Sequence, residues 1–189
     1  MDCCIMSNLE RYLRRFDEII SQMANKMLCR TNISDVSIDF CECLIPCNQG
    51  IINMCQNILQ FTSNEDLREF CNNTIQNKTD QNNELNEIKN STYGFINTVS
   101  DVNVYVSQYL SICRNMICKM RNCSRRGCVN LCFICQMICC LQGVICMCEN
   151  CLQCCIDSRL RTLCEHTINE SNEEIQNLRR IRCMICNNN

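Results

Sequence analysis

Cysteine content constrains this chain more than any other feature. The sequence contains 24 cysteines in 189 residues, above the ~8–10% that marks disulfide scaffolds in short secreted chains. At such density cysteine cross-links, binds soft metal ions, or fills space as a small apolar side chain. A Cys/His nucleophile would need a base, and His166 is the sole histidine. The sequence therefore predicts a protein that is not an enzyme.

Scarcity of turn residues predicts an all-α fold. The chain has four glycines and one proline, Pro46, whereas all-β and loop-rich folds need many Gly and Pro turns. The net charge is -2, so no basic field favours nucleic acid as a partner.

Capping signals and apolar spacing locate the first helices. Ser7–Glu10 has the pattern of a capping box, and apolar residues at helical spacing predict a helix over 8–28. The segment 40–47 has no clear period, and Pro46 suits the first turn of a second helix over 46–61. Residues 72–90 are rich in Asn, Gln and Lys and are predicted to be a solvated arm.

The second half predicts longer helical elements. Apolar residues close to a 3.5-residue repeat predict one coiled-coil-like helix over about 80–120, interrupted or not at Gly94, that packs on another copy of the chain. The cysteine-rich stretch that follows is predicted to be an αα-hairpin that turns near Gln142–Gly143. A last helix is predicted after Ser171–Glu174. The resulting regions are 1–78, 79–122 and 123–189, joined in one intertwined unit with extended arms.

Cysteine spacing within the predicted hairpin is compatible with several roles for these cysteines. Steps of three, four and seven residues place Cys128, Cys132, Cys135, Cys139 and Cys146 on one stripe of a helix. Neighbours on a straight helix pair poorly as disulfides, so they need another helix, a metal ion or an apolar core.

Metal and membrane alternatives follow from the same stretch. Four of these residues, Cys128, Cys132, Cys135 and Cys139, resemble the inward cysteine ladders of helical-bundle copper-storage proteins, which implies Cu(I) as an alternative ligand. The C-x-x-C pairs lack the knuckle context of zinc sites. The uncharged stretch 127–148 approaches the ~20 residues that span a bilayer, but its polar residues favour a chain with no membrane partner.

The distribution of the cysteines favours cross-linking between molecules. Cysteines near both ends of the sequence are well placed to join different copies, and a near-neutral, Asn-rich surface favours close contact. We therefore predict self-assembly followed by oxidation, without a resident cofactor or metal. The predicted cross-linking residues are Cys3, Cys4, Cys41, Cys43, Cys47, Cys128, Cys132, Cys135, Cys139, Cys146, Cys148, Cys151, Cys155, Cys183 and Cys186.

In this overall character the chain resembles polyhedrins, the occlusion-body proteins of insect viruses, and is most similar to the helical, cysteine-rich kind of nudiviruses. The likeness rests on the capping boxes, the cysteines named above and the absence of a visible signal peptide. It implies synthesis in the host cytoplasm or nucleus and deposition in a disulfide-linked crystalline lattice that encloses virions. It also implies release in an alkaline gut.

Ionisation of thiols and tyrosines is the chemistry expected to drive alkaline release. Free thiols ionise near pH 8.5 and tyrosines near pH 10, and thiolates attack disulfides. Alkali is therefore expected to charge Tyr12, Tyr93, Tyr105 and Tyr109 within contacts between molecules and to open the cross-links.

Overall fold

A computed structural model describes residues 7–29, 35–92 and 97–187. These residues form six α-helices and no strand, as the composition predicts. The helices are α1 Asn8–Leu28, α2 Val36–Ile58, α3 Glu65–Ser91, α4 Val99–Asn122, α5 Val129–Leu152 and α6 Ser158–Asn187.

Side-chain caps fix where the first helices begin. The predicted capping box is confirmed: the Glu10 N–H donates to Ser7 Oγ (3.2 Å), and the Ser7 N–H donates to Glu10 Oε2 (2.7 Å). Asp35 accepts from the Ser37 and Ile38 N–H groups at the start of α2. Each cap satisfies amides that have no partner within the helix.

The helices form two layers of three. Helices α1, α2 and α3 make one layer and α4, α5 and α6 the other, with α1 on α4, α2 on α5 and α3 on α6. The central helices α2 and α5 each pack against both neighbours in their own layer and against each other. One apolar cluster runs through all six helices.

Consecutive helices are antiparallel, so the bundle has two distinct ends. End one carries the connections α1–α2, α3–α4 and α5–α6, which meet where the Val36 N–H donates to Asn97 Oδ1 (3.0 Å) and the Asp157 N–H donates to Ser37 Oγ (3.0 Å). End two carries the connections α2–α3 and α4–α5, the start of α1 and the end of α6. There Arg180 of α6 faces Asp66 of α3 at 3.7 Å.

The two layers are repeats of one three-helix unit. When residues 7–92 are aligned with 100–185 at a constant offset of 93 and without gaps, 25 of the 86 positions are identical. The offset also relates specific contacts. The Asn57 Nδ2 donates to the Tyr12 carbonyl (3.0 Å), and the equivalent Asn150 Nδ2 donates to the Tyr105 carbonyl (3.1 Å).

A second pair of equivalent contacts supports the duplication. Gly50 of α2 lies against Met23 of α1, and its equivalent Gly143 of α5 lies against Met116 of α4. The two layers are therefore related by an approximate two-fold axis that passes between α2 and α5.

Several predicted boundaries are wrong. Helix α2 begins at Val36 instead of residue 46 and contains Pro46 in its interior. The predicted arm 72–90 belongs to α3, and the predicted helix over 80–120 is two helices, of which α3 ends at Ser91 and α4 begins at Val99. The boundary predicted between residues 78 and 79 therefore lies inside α3.

The cysteine-rich hairpin is also replaced by one helix. Helix α5 continues through Gly143, which is buried because Met116 occupies the space where a side chain would lie. Helix α6 begins at Ser158, so Ser171 is a buried interior residue and caps nothing.

Candidate thiol sites

Exposure divides the described cysteines into surface and core sets. The exposed thiols are Cys29, Cys118, Cys128, Cys146, Cys155, Cys183 and Cys186. Five of these were predicted as cross-linking residues; Cys29 and Cys118 were missed. The predicted Cys3 and Cys4 lie outside the described residues.

The exposed thiols occupy both ends of the bundle. Cys29 is the C-cap residue of α1 and Cys155 follows α5, so both lie at end one, and Cys146 lies in the half of α5 nearer to that end. At end two, Cys118 lies in the last turns of α4, Cys128 is the residue before the start of α5, and Cys183 and Cys186 lie near the end of α6. A chain with reactive groups at opposite ends can be linked to more than one neighbour.

Three cysteines form a cluster where α4 is joined to α5. Cys123 and Cys135 are paired as a disulfide with their Cα atoms 6.0 Å apart, and Cys139 Sγ lies 3.7 Å from Cys123 Sγ. All three sulfur atoms lie within 4.8 Å of one another. In reduced form they supply three thiolates, the donor set that soft metal ions prefer.

This cluster includes half of the predicted copper set. Cys135 and Cys139 are present, but Cys128 is exposed, and the buried Cys132 directs its thiol towards the Arg126 carbonyl (3.9 Å). Cys123 was missed because it precedes the stripe on α5. Burial raises the pKa of the Cys139 thiol, while nearby Lys119 lowers it.

A second group of thiols lies between the helices in the core. Cys47 of α2 interacts with Cys140 of α5, and Cys55 of α2 interacts with Cys71 of α3. All four side chains are fully buried. The hydrogen bond with Cys140 and burial raise the pKa of Cys47 well above the ordinary value, and burial and the hydrogen bond with Cys71 do the same for Cys55.

The second layer repeats this arrangement. Cys148 and Cys151 of α5 interact with Cys164 of α6. Hydrogen bonds from Cys148 and Cys151 lower the pKa of the Cys164 thiol, and burial opposes them. Cys47, Cys148 and Cys151 were predicted from the sequence, but Cys55, Cys71, Cys140 and Cys164 were missed. Comparing the chain with itself at the offset of 93 would have found them.

Two more predicted cysteines are core residues. Burial raises the pKa of Cys41 to about 12. Cys43 is buried beside Tyr109, which also contacts Cys113. Neither thiol is accessible to another molecule in this fold, so cross-linking through Cys41 or Cys43 would require the bundle to open.

Three of the four predicted tyrosines are buried in the core and do not reach the surface of the chain. Tyr12, Tyr105 and Tyr109 are buried within one chain; Tyr12 Oη donates to Gln136 Oε1 (2.6 Å) and Tyr105 Oη donates to Asp39 Oδ2 (2.9 Å). Burial raises the pKa of Tyr12 and of Tyr109. The large rings fill the core, which is why they are inside. Tyr93 lies outside the described residues.

One cation, Lys78, is fully buried in the core. The Lys78 side chain is 0% exposed, and its Nζ lies 2.9 Å from Glu170 Oε2 and 3.7 Å from Glu174 Oε2. Burial lowers the pKa of Lys78, but Glu174 and Glu170 outweigh it and the pKa is raised. Burial also raises the pKa of Glu174. The equivalent of Lys78 in the second repeat is Ser171, so the two-fold relation is broken here.

Helix α5 is long and apolar enough to cross a membrane by length and composition. In the bundle it is a central helix covered by α2, α4 and α6, a position that requires apolar residues on most of its surface. Among the described residues no other helix meets this criterion.

No family model, curated protein or solved structure matches the chain.

Proposed function

We propose that this chain is a structural protein that packs with copies of itself and is cross-linked by disulfides between exposed cysteines. The observation that carries the proposal is the presence of exposed thiols at both ends of the bundle. Thiols at one end would stop growth at dimers or small clusters, whereas thiols at both ends permit chains and networks.

The core and surface thiols have separate roles in this proposal. Two exposed thiols on different molecules lose two protons and two electrons to a disulfide oxidant and form one disulfide. The thiolate is the attacking species. Buried thiols are excluded from this reaction by access. The small net charge of -2 adds little repulsion between copies.

The resemblance to polyhedrins supplies a biological setting for such an assembly. In that setting the lattice encloses virions and dissolves in alkali. Late oxidation reconciles a cysteine-rich chain with a reducing site of synthesis, because the thiols remain reduced during folding and form disulfides after assembly.

The test is oxidation of the purified, reduced chain with oxidised glutathione, followed by alkylation and a non-reducing gel. All proteins carry Cys3→Ser and Cys4→Ser, so that the comparison is limited to the exposed thiols described above at end one and end two. We expect a ladder of high multimers that collapses to 22.0 kDa on reduction.

Two variants localise the cross-links. Replacing Cys29, Cys146 and Cys155 by serine leaves exposed thiols at end two alone, and we expect dimers and small clusters. A control that replaces the buried Cys41 and Cys71 by alanine should keep the ladder. A ladder that survives removal of all seven exposed cysteines would refute the proposal. So would a parent protein that stays monomeric, with its thiols still reduced, after treatment with oxidised glutathione.

The cluster of Cys123, Cys135 and Cys139 favours a second candidate, soft-metal storage. Three sulfur atoms within 4.8 Å can bind one Cu(I) when reduced. This function predicts a soluble chain whose copper content falls when Cys123 is replaced by serine. It is excluded if the chain purified from copper-supplemented cells carries no metal.

A further inference from the structure

A free thiol lies beside the disulfide at end two. Cys123 is paired with Cys135, and the Cys139 Sγ lies 3.7 Å from the Cys123 Sγ. Because a sulfur atom in a disulfide carries no proton, the Cys139 thiol is the donor in this contact. Burial raises the pKa of Cys139, so this thiol keeps its proton near neutral pH. The disulfide is therefore held together with a hydrogen-bond donor to one of its two sulfur atoms.

The two sulfur atoms of the disulfide differ in their access to solvent. Cys123 is only 6% exposed, whereas Cys135 and Cys139 are half-buried. A thiolate that arrives from solvent can therefore reach the Cys135 sulfur more readily than the Cys123 sulfur. Cys139 lies one turn beyond Cys135 on α5, and neighbours of that kind are poorly directed for a disulfide with each other. Access thus favours attack at Cys135, with Cys123 as the leaving sulfur.

The hydrogen bond from Cys139 favours the same direction of attack. Cleavage of the disulfide at Cys135 leaves a thiolate on Cys123, and a thiolate of lower pKa is a faster leaving group. A donated hydrogen bond stabilises the charged form and so lowers that pKa. Cys139 is therefore a positioning residue that acts through the Cys123 sulfur.

The chain segment that carries the three cysteines is basic. No Asp or Glu occurs in residues 102–148, whereas five cationic residues do, which are Arg114, Lys119, Arg121, Arg125 and Arg126. Lys119 lies near Cys139, and Arg125 pairs with Asp17 of α1. Partly exposed cysteines in electropositive surroundings are the reactive kind, because a nearby cation stabilises a thiolate.

These three cysteines belong to one repeat alone. At the offset of 93 their equivalents in the sequence are Arg30, Glu42 and Pro46. The three-helix unit therefore does not require cysteine at these positions, so packing of the unit does not account for the cluster.

We propose that Cys123, Cys135 and Cys139 form a thiol–disulfide exchange site whose substrate is an exposed cysteine thiol of a second copy of the chain. The proposal rests on the function proposed above, in which exposed cysteines join copies. Exposed thiols lie at the same end of the bundle as the site, and these are Cys118, Cys128, Cys183 and Cys186. Two copies that meet at end two therefore bring a substrate thiol of one to the disulfide of the other.

The exchange step is balanced without an added oxidant. The substrate thiol loses its proton and attacks the Cys135 Sγ, which forms a disulfide between the two chains. The bond between Cys123 and Cys135 breaks, and the Cys123 Sγ takes up the proton. The substrate sulfur is oxidised and the Cys123 sulfur is reduced, so the number of disulfides is unchanged. The oxidised chain thus carries the first oxidising equivalent for its own cross-linking.

The test mixes two forms of the chain under nitrogen without an oxidant. The exchange form keeps the three cluster cysteines, has serine at Cys3, Cys4 and the seven exposed cysteines, and is first oxidised with oxidised glutathione. The substrate form is reduced, has serine at the three cluster positions and keeps its exposed cysteines. We expect a band at twice 22.0 kDa on a non-reducing gel. Peptide mass spectrometry should join Cys135 to an exposed cysteine of the substrate form.

Variants of the exchange form assign the roles. Cys123→Ser removes the disulfide and should abolish the band, whereas the matched control Cys132→Ala, at a buried cysteine of the same helix, should keep it. Cys139→Ala should slow the reaction about fivefold, the equivalent of a hydrogen bond of about 1 kcal/mol. Cys139→Ser retains a donor and should recover most of the rate. Equal bands from Cys123→Ser and Cys132→Ala, or an unchanged rate in Cys139→Ala, would overturn the proposal.

Reduced glutathione as the attacking thiol separates this proposal from the function proposed above, and it can be used with the unsubstituted oxidised chain. An adduct at Cys135 without a band between the two forms would overturn the second copy as the substrate. No adduct at Cys135, or a chain whose Cys123 and Cys135 stay reduced in oxidised glutathione, would overturn the site itself. The ladder expected from exposed thiols would survive that result, because external oxidation of exposed thiols does not need the cluster.

Discussion

Alkali should unfold the monomer itself, because core thiols must ionise. Burial raises the pKa of Cys41 from 9.0 to about 12, and burial and sulfur neighbours raise those of Cys47 and Cys55 as well. A group whose pKa is raised by folding stabilises the fold below its unfolded pKa. That contribution is lost as the pH rises from the unfolded towards the folded pKa.

The magnitude follows from the size of the pKa shift. At pH 11 an unfolded thiol is ionised and Cys41 in the fold is not, which costs about 3 kcal/mol at ~1.4 kcal/mol per pH unit. Cys47 and Cys55, whose pKa values are also raised, add to this loss in the same direction, and a typical domain is held together by only ~5–15 kcal/mol. We therefore expect unfolding between about pH 10 and 11, before most buried tyrosines ionise.

The assay is urea unfolding by circular dichroism from pH 7 to 11 with a phosphine reductant, so that disulfide exchange does not contribute. Cys41→Ala should lose less unfolding free energy between pH 7 and 11 than the parent, by about 3 kcal/mol. Cys183→Ala, at an exposed position, should not differ from the parent. A parent as stable at pH 11 as at pH 7 would refute the reasoning.

Further substitutions test single contacts. A Cβ at Gly143 would lie 2.8 Å from Met116 Cβ, whereas at Gly50 the equivalent Cβ–Cβ distance is 3.3 Å. Gly143→Ala should cost about 2 kcal/mol, because overpacking outweighs the helical gain of ~1 kcal/mol, and Gly50→Ala should stay within about 1 kcal/mol of the parent in urea unfolding. Equal effects would contradict the geometry. Lys78→Met leaves two glutamates near a buried site without their cation and should destabilise by about 3 kcal/mol at pH 7, with part of the loss recovered at pH 4. A hydrogen bond from Arg159 lowers the pKa of Asp157 to about 2. The stability advantage of the parent over Asp157→Asn should therefore be full above about pH 4 and shrink as the pH falls towards 2, and a pH-independent difference would exclude this linkage.

The outer helices were more predictable than the central ones. Helix α1 has one buried stripe and a capping box, so its bounds follow from the sequence. Helices α2 and α5 are buried on most sides, and a helix in that position has no clear apolar period. Pro46 and Gly143 then look like boundaries, although one is tolerated inside α2 and the other makes room for Met116.

The sequence predicts that cysteine thiols form the candidate sites, but it does not predict which cysteines lie together. The stripe on α5 located Cys135 and Cys139, but the partner Cys123 comes from the end of α4. Likewise, Lys78 looks like a solvated residue of a polar stretch, and its burial depends on Glu170 and Glu174 from α6. Pairings between distant helices require the topology, which local patterns do not contain.

The two-fold relation between the repeats also determines which circular permutants should keep the fold. The end of α6 and the start of α1 are related at end two as the end of α3 and the start of α4 are at end one. The segment between Ser91 and Val99 makes the latter connection, and an added linker of similar length would make the former. A circular permutant that opens between α3 and α4 and joins α6 to α1 through such a linker should thus keep every helix pairing. By the same geometry, two copies can exchange repeats without any new interface. The closed monomer is then favoured mainly by the high effective concentration that one short connection provides.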